Sequence, residues 1–92
     1  MRFEWDDNKA RTNAAKHKVT FEEAATVWTD PFALIAPDPE HSTEEMREWI
    51  IGTSYLQKVL IVVYTVRDEN IRIISARKAT RNERSRYEEE IY

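Results

Sequence analysis

Two β-branched runs, Lys58–Val66 and Ile71–Arg77, are separated by only four residues, Arg67-Asp68-Glu69-Asn70. So short a polar break between two apolar runs predicts an antiparallel hairpin. The register it sets pairs Val66 with Ile71 and Tyr64 with Ile73. Carried along the strands, that register puts Arg77 on the face of Tyr64 and Ser75. It puts Arg72 on the other face beside Thr65, and Arg67 at the turn. A third run, Arg47–Thr53, supplies another strand; Phe32–Ala36 and Arg2–Trp5 read as short ones.

Helices fill the remainder. Asp6-Asp7 caps a helix running to about Lys18, with acid at its positive end and Lys16, His17 and Lys18 at its negative end. Its apolar positions are only Ala10, Ala14 and Ala15. Thr20-Phe21-Glu22-Glu23 has the form of a capping box, with Val19 as a hydrophobic staple. The helix behind it buries Phe21, Ala24, Ala25 and Trp28 and ends at Asp30-Pro31. Pro37–Glu44, with two prolines and three acids, reads as a loop. Thr80-Arg81-Asn82-Glu83 is a second capping box, opening a last helix on which only Tyr87 and Ile91 share an apolar stripe. The order β-α-α-β-β-β-β-α predicts an α+β fold, residues 1–92 forming one domain: an antiparallel sheet with helices packed on one face and the other face left to bind something.

Composition narrows the chemistry. There is no cysteine, and the one glycine, Gly52, excludes glycine-rich phosphate loops and the dinucleotide fingerprint. The two histidines, His17 and His41, have no ligand spacing around them, so no metal or other cofactor is expected. No run is long and apolar enough to span a membrane, and the start lacks an apolar signal-peptide core, so a cytoplasmic location is expected. Net charge is −3, which argues against nucleic acid until its distribution is read. Residues 1–18 carry five basic and three acidic side chains, and residues 47–78 carry six and three. Residues 19–46 carry seven acids and no lysine or arginine. A polyanion responds to local potential, and the basic surplus lies on the first helix and the later strands.

On that first helix Lys9, Asn13, Lys16 and His17 fall within one sector of about a quarter turn. They read either as a solvated basic face or as a phosphate-binding one. His17 is the one plausible proton-transfer histidine, set against the plain alternative of a structural residue. Arg67, Arg72, Arg77 and Lys78 form a second basic group; Arg77, at the end of an apolar strand, is the least readily explained as a solvated edge residue. RNA cleavage by attack of a 2′-hydroxyl on the adjacent phosphate needs a base, an acid and a cation on the phosphate oxygens, and no metal. Arginine suits the last role through its fixed fork of donors. The candidate catalytic set is therefore His17, Arg77, Arg67 and Lys9, with Lys16, Asn13, Arg72, Lys78 and Tyr64 as RNA contacts. Trp49 and Tyr64 could stack on unpaired bases or belong to the sheet core. His41, among Asp38, Glu40 and Glu44, reads as exposed and silent.

Phe3-Glu4-Trp5-Asp6, Lys9, Asn13, Lys16-His17 and Val19-Thr20-Phe21-Glu22-Glu23-Ala24 resemble the start of the BrnT-like toxins. So do Asp30-Pro31, Val62-Val63-Tyr64-Thr65 and, above all, Ile71-Arg72-Ile73-Ile74-Ser75-Ala76-Arg77-Lys78-Ala79-Thr80 with Glu83-Arg84 and Tyr87. The resemblance covers nearly the whole chain. It implies a RelE-like fold, metal-independent ribonuclease activity that arrests growth or translation, and neutralisation by a BrnA-like antitoxin. The antitoxin's ribbon-helix-helix end would carry any contact with DNA. It strengthens His17 and Arg77 as site residues. The rival function is a non-catalytic binding module that acts with an antitoxin in transcriptional autoregulation. Lys18 stands where many members of the family have glycine, so the first helix is expected to end differently here.

Overall fold

From the N-terminus the elements are β1 (Phe3–Glu4), α1 (Asp7–His17), α2 (Phe21–Ala25), a single 3₁₀ turn (Thr26–Thr29), β2 (Leu34–Pro37), β3 (Arg47–Thr53), β4 (Val59–Arg67), β5 (Asn70–Lys78) and α3 (Arg81–Ile91). The structure is a computed structural model that describes residues 2–38 and 45–91, the last through its backbone. His41, Glu40 and Glu44, and the Ile91 side chain in the expected stripe of the last helix, lie outside the described residues. Among those described, no helix is long and apolar enough to cross a membrane.

The element order is the expected one, but the sheet is mixed. Its strand order is β1-β5-β4-β3-β2. β2, β3, β4 and β5 are antiparallel in sequence, whereas β1 pairs in parallel with β5, Phe3 opposite Ile71 and Glu4 opposite Arg72. The hairpin closes on two residues: Arg67 pairs with Asn70, while Asp68 (φ 50°) and Glu69 (φ 69°) take the positive φ values that a tight turn matched to the strand twist requires.

The hairpin begins in the expected register, Val66 opposite Ile71 and Tyr64 opposite Ile73, and then slips. Val63 lies opposite Ser75, so Ile74 is an extra residue on β5. A one-residue slip turns every later side chain to the other face of the sheet. Arg77 therefore lies opposite Ile61, on the face away from Tyr64. The expectation that Arg77 shares a face with Tyr64, with Arg72 opposite, is corrected: the bulge puts Arg72, Ser75 and Arg77 all on the second face.

The first face carries the main core. Ile50, Leu60, Val62, Tyr64, Ile71, Ile73 and Ala76 meet Val19, Phe21, Ala24 and Val27 there. Each large apolar side chain buried in this way contributes about 1.5–3 kcal/mol, so this layer dominates the exposed ion pairs elsewhere. Trp28 joins the layers edge-on, its ring centroid 5.1 Å from Phe3 and 5.0 Å from Tyr64. Gly52 lets the 3₁₀ turn lie against β3: a Cβ there would fall 2.8 Å from Val27 Cγ1 and 3.1 Å from Ala33 Cβ.

α3 does not join the other helices. Tyr87 packs on Ile51 and Ile61, the opposite face, with Val59 and Ala79 beside it. The expected one-sided packing is thus corrected to helices on both faces. A polar anchor supports the thin apolar stripe. The Tyr87 hydroxyl donates to Asp30, lies 3.1 Å from Thr53 Oγ1, and Asp30 also accepts the Thr53 and Phe32 N–H groups at 2.8 Å. Burial pushes the Asp30 carboxyl up, but these hydrogen bonds, that of Tyr87 first, outweigh it and hold the group below its ordinary value.

The helix caps are formed in part as expected. Thr20 Oγ1 accepts the Glu23 N–H at 3.0 Å, but the Glu23 carboxylate turns inward, 3 % exposed, and accepts from Ser54 Oγ at 2.7 Å rather than closing the box. α1 starts as expected, with Asp6 accepting the Lys9 N–H. It also ends as a glycine-terminated helix would: Lys18 adopts φ 60°, ψ 30° and its N–H reaches Ala14 O. The different ending expected from lysine at this position is not what the structure has, and the left-handed conformation costs lysine roughly 1 kcal/mol. Lys18→Gly should therefore stabilise the protein by about 0.5–1 kcal/mol, raising the melting temperature by several degrees, roughly 4–8 °C per kcal/mol for a domain of this size. A midpoint in a thermal circular-dichroism scan at or below that of the parent would contradict this account of the helix end.

Candidate active-site cleft

β1 pairs with β5 for only two residues, which leaves the outer edge of β5 beyond Arg72 without a strand. α1 takes that place through one side chain. The Asn13 amide accepts the Ala76 N–H at 3.0 Å and donates to the Ala76 carbonyl at 2.8 Å and to the Val19 carbonyl at 3.1 Å. It behaves as one residue of a neighbouring strand, satisfying backbone groups that burial would otherwise leave unpaired. Asn13 is 7 % exposed. Its polar atoms are already used by the backbone, although its side chain still borders the shelf beside the cleft.

This docking brings the last turn of α1 to the second face of the sheet. A cleft of about 480 Å³ opens there, lined by His17, Asp38, Trp49, Ile61, Val63, Ser75, Ala76, Arg77 and Glu83. The strand register explains its floor. Trp49, Val63 and Ser75 form one row across β3, β4 and β5, and Ile51, Ile61 and Arg77 form the next. Trp49 and Arg77 are thus two strands and two residues apart, about 12 Å between Cα atoms from standard sheet spacings. Through His17 and Ser75 the cleft continues into a shelf of about 330 Å³ bordered by Asn8, Lys9, Thr12, Asn13, Lys16 and Ile74. Lys9 and Lys16 are exposed on it and His17 is half-buried.

Arg77 is held rather than free. Its Nη1 and Nη2 donate to the two carboxylate oxygens of Glu83 at 2.7 and 2.9 Å, and Nη1 also reaches the Lys78 carbonyl at 3.3 Å. Glu83 closes the second capping box as well, accepting the Thr80 N–H at 2.8 Å and donating its own N–H to Thr80 Oγ1 at 3.2 Å. The Arg77 hydrogen bonds draw the Glu83 carboxyl down to about 2 against its burial, so the pair is ionised throughout the neutral range. The same hydrogen bonds raise the Arg77 pKa further.

The other sequence candidates lie elsewhere. Tyr64 is 3 % exposed in the main core, on the face away from Arg77. Burial first, then the Glu48 carboxylate, pushes its hydroxyl up to about 12. It is withdrawn as a stacking surface. Arg67 sits at the hairpin end, paired with Glu45 at 2.8 Å. It is six residues along β4 from Ile61, the partner of Arg77, and so about 20 Å away. Arg67 is therefore withdrawn from the catalytic set. Arg72 faces Glu4 at 3.5 Å, and Lys78 is exposed at the strand end; neither lines the cleft.

Three cleft residues carried no such role from sequence. Trp49, left open between core and stacking, is half-buried on the cleft floor. Asp38 is in the acidic loop, and only its position after β2 brings it to the cleft. Glu83 was legible as a cap, but its hold on Arg77 depends on the bulge. Among the described residues no group of three or more His, Asp or Glu side chains is gathered as a metal site would require.

The fold that carries this cleft is shared with a solved toxin. The 1.1 Å crystal structure of the Brucella abortus ribonuclease toxin BrnT matches this fold with a TM-score of 0.68 and 26% sequence identity, over 88% of this chain and 99% of that one. A family profile described as the ribonuclease toxin BrnT of type II toxin–antitoxin systems matches residues 5–83. The chain belongs to the BrnT family of ribonuclease toxins. Among curated proteins nothing matches.

The Asn13 contact is open to direct test. Asn13→Ala leaves the buried Ala76 N–H and C=O without partners and should cost about 1–3 kcal/mol in stability. Backbone hydrogen exchange at Ala76 should accelerate with it. Unchanged denaturant stability and unchanged exchange would mean that α1 is held by something else.

Proposed function

We propose that residues 1–92 form the toxin of a type II toxin–antitoxin pair that cleaves RNA without a metal ion, in the cleft on the second face of the sheet. The observation that carries the reading is that His17 and Arg77, sixty residues apart in sequence, line one cleft. The RelE-like grouping and the cytoplasmic setting belong to the same reading.

The reaction is an internal transesterification. The ribose 2′ oxygen bonds to the adjacent phosphorus as the bond from phosphorus to the 5′ oxygen breaks, leaving a 2′,3′-cyclic phosphate and a 5′-hydroxyl. One proton leaves the 2′ oxygen for a base and another reaches the 5′ oxygen from an acid. His17 performs one of these transfers, and Asp38, which also lines the cleft, is the candidate for the other. Arg77 binds the non-bridging oxygens, where charge accumulates in the transition state. Lys9 and Lys16 hold flanking phosphates on the shelf, and Trp49 offers a stacking face to an unpaired base. In this arrangement Lys9 binds rather than catalyses, and Arg72 and Lys78 act at most on RNA that extends beyond the cleft.

Folded Arg77→Ala should lose about a hundredfold or more in cleavage rate. His17→Gln should lose one limb of the pH–rate profile. Lys16→Ala should mainly raise the RNA dissociation constant and flatten its dependence on salt. The parent should retain its rate in excess chelator. Parent-like cleavage by Arg77→Ala, or loss of activity on chelation, would refute the mechanism.

The partner in this reading is a BrnA-like ribbon-helix-helix antitoxin, through which alone the complex reaches DNA. It makes charge-complementary contacts to the basic shelf and later strands and so blocks the RNA path. Competition decides the point: a non-cleavable RNA and the antitoxin should exclude each other. Simultaneous binding with undiminished affinities would rule out direct occlusion.

A further inference from the structure

We propose that Glu83 is a positioning residue for RNA cleavage: from the first turn of α3 it clamps one edge of the Arg77 guanidinium and leaves the opposite edge as a fixed fork for phosphate. This rests on the reading of Arg77 as the cation that binds the reacting phosphate.

A guanidinium has five N–H donors arranged in two bidentate edges, one formed by Nη1 and Nη2 and the other by Nε and Nη2. Glu83 occupies the first edge completely, one oxygen to each nitrogen. The second Nη1 hydrogen is directed to the Lys78 carbonyl. The Nε–H and the remaining Nη2–H are left, and they form the side-on fork. No acceptor among the described residues takes that fork. The clamp therefore uses the donors that phosphate binding does not need. It also limits the motion of a long side chain before RNA arrives, so less freedom is lost in the transition state.

Glu83 is itself held in place. Its Oε1 accepts the Thr80 N–H, and its backbone belongs to the capped first turn of α3. One turn further on, Tyr87 fixes α3 to the sheet through Ile51, Ile61, Asp30 and Thr53. A continuous line of contacts thus runs from the end of β3 through α3 to Arg77. The second capping box has two separable duties: Thr80 starts the helix, and Glu83 aims the arginine.

The two duties can be separated by substitution. Glu83→Gln keeps a carbonyl oxygen for the Thr80 N–H, as a capping box allows. It has only one acceptor to offer the guanidinium and puts an N–H₂ group against the other nitrogen. Thr80→Ala does the reverse, losing the hydroxyl of the cap while leaving the carboxylate on Arg77. Each full-length variant is compared with the parent for thermal stability and for steady-state cleavage of one defined RNA oligonucleotide. Glu83→Gln should melt close to the parent, with kcat lowered about 10- to 100-fold and KM little changed, the scale expected when a catalytic group is misplaced by about 1 Å. Its Arg77 Nε–H signal in the ¹⁵N NMR spectrum should be broader than that of the parent. Thr80→Ala should melt lower and keep its kcat.

Parent-like kcat in folded Glu83→Gln would overturn the proposal. A higher kcat would overturn it as well, because Glu83 would then compete with RNA for Arg77. Arg77→Ala separates this failure from that of the underlying mechanism. If Arg77→Ala is inactive and Glu83→Gln is fully active, only the clamp is wrong. If Arg77→Ala cleaves at the parent rate, the role of Arg77 itself is wrong.

Discussion

The pairing of the Asn13 amide with both backbone groups of Ala76 fixes the geometry on which the cleft depends. β1 is too short to protect the edge of β5, and an open edge inside the fold would leave buried N–H and C=O groups unpaired. Asn13 solves this with one side chain and thereby fixes where α1 lies. His17, one helical turn further along, is carried to the mouth of the cleft as a consequence. The bulge at Ile74 lies two residues from the same contact. Together they bring a helix terminus and Arg77 to one side of the sheet from distant parts of the chain.

Electrostatics within the cleft are more balanced than a polyanion site would suggest. Arg77 is matched by Glu83, and Asp38 adds a negative charge on the opposite wall. On the proposed function, long-range attraction for RNA would come from the shelf, where Lys9 and Lys16 stand exposed beside His17. This divides the labour in a physically sensible way. In the proposed mechanism, exposed lysines would draw in and hold the RNA backbone through screened, salt-dependent attraction, and the clamped arginine would offer directional hydrogen bonds where charge develops. The described residues of the acidic stretch 19–46 form a core helix and β2; of their acids only Asp38 lines the cleft, and none borders the shelf.

Some residues served two purposes, and those were the hardest to read. Asn13 lies in the basic sector of α1, where a polar side chain looks like a ligand group; only the short reach of β1 makes it structural. Glu83 has the spacing of a capping box and fulfils it, while its second oxygen acts elsewhere. Tyr64 and Trp49 are both strand aromatics with one polar and one apolar neighbour, and the side of the sheet each occupies decides that one is core and the other cleft.

The sequence by itself determined the order of the elements, the hairpin and its first pairs, the α1 cap and the second capping box, and it marked His17 and Arg77 as candidates. Each of these follows from local chemistry: turn length, period-two patterning, capping residues and the scarcity of other proton-transfer groups. The tertiary structure alone decided which face Arg77 occupies, because the adjacent Ile73 and Ile74 satisfy an apolar pattern in either register and so conceal the bulge between them. It alone decided that β1 runs parallel to β5 and that α3 crosses to the second face. Those choices depend on which backbone edges remain unsatisfied and which apolar surface is still uncovered once the hairpin and first helices have packed, and neither quantity exists in a linear chain.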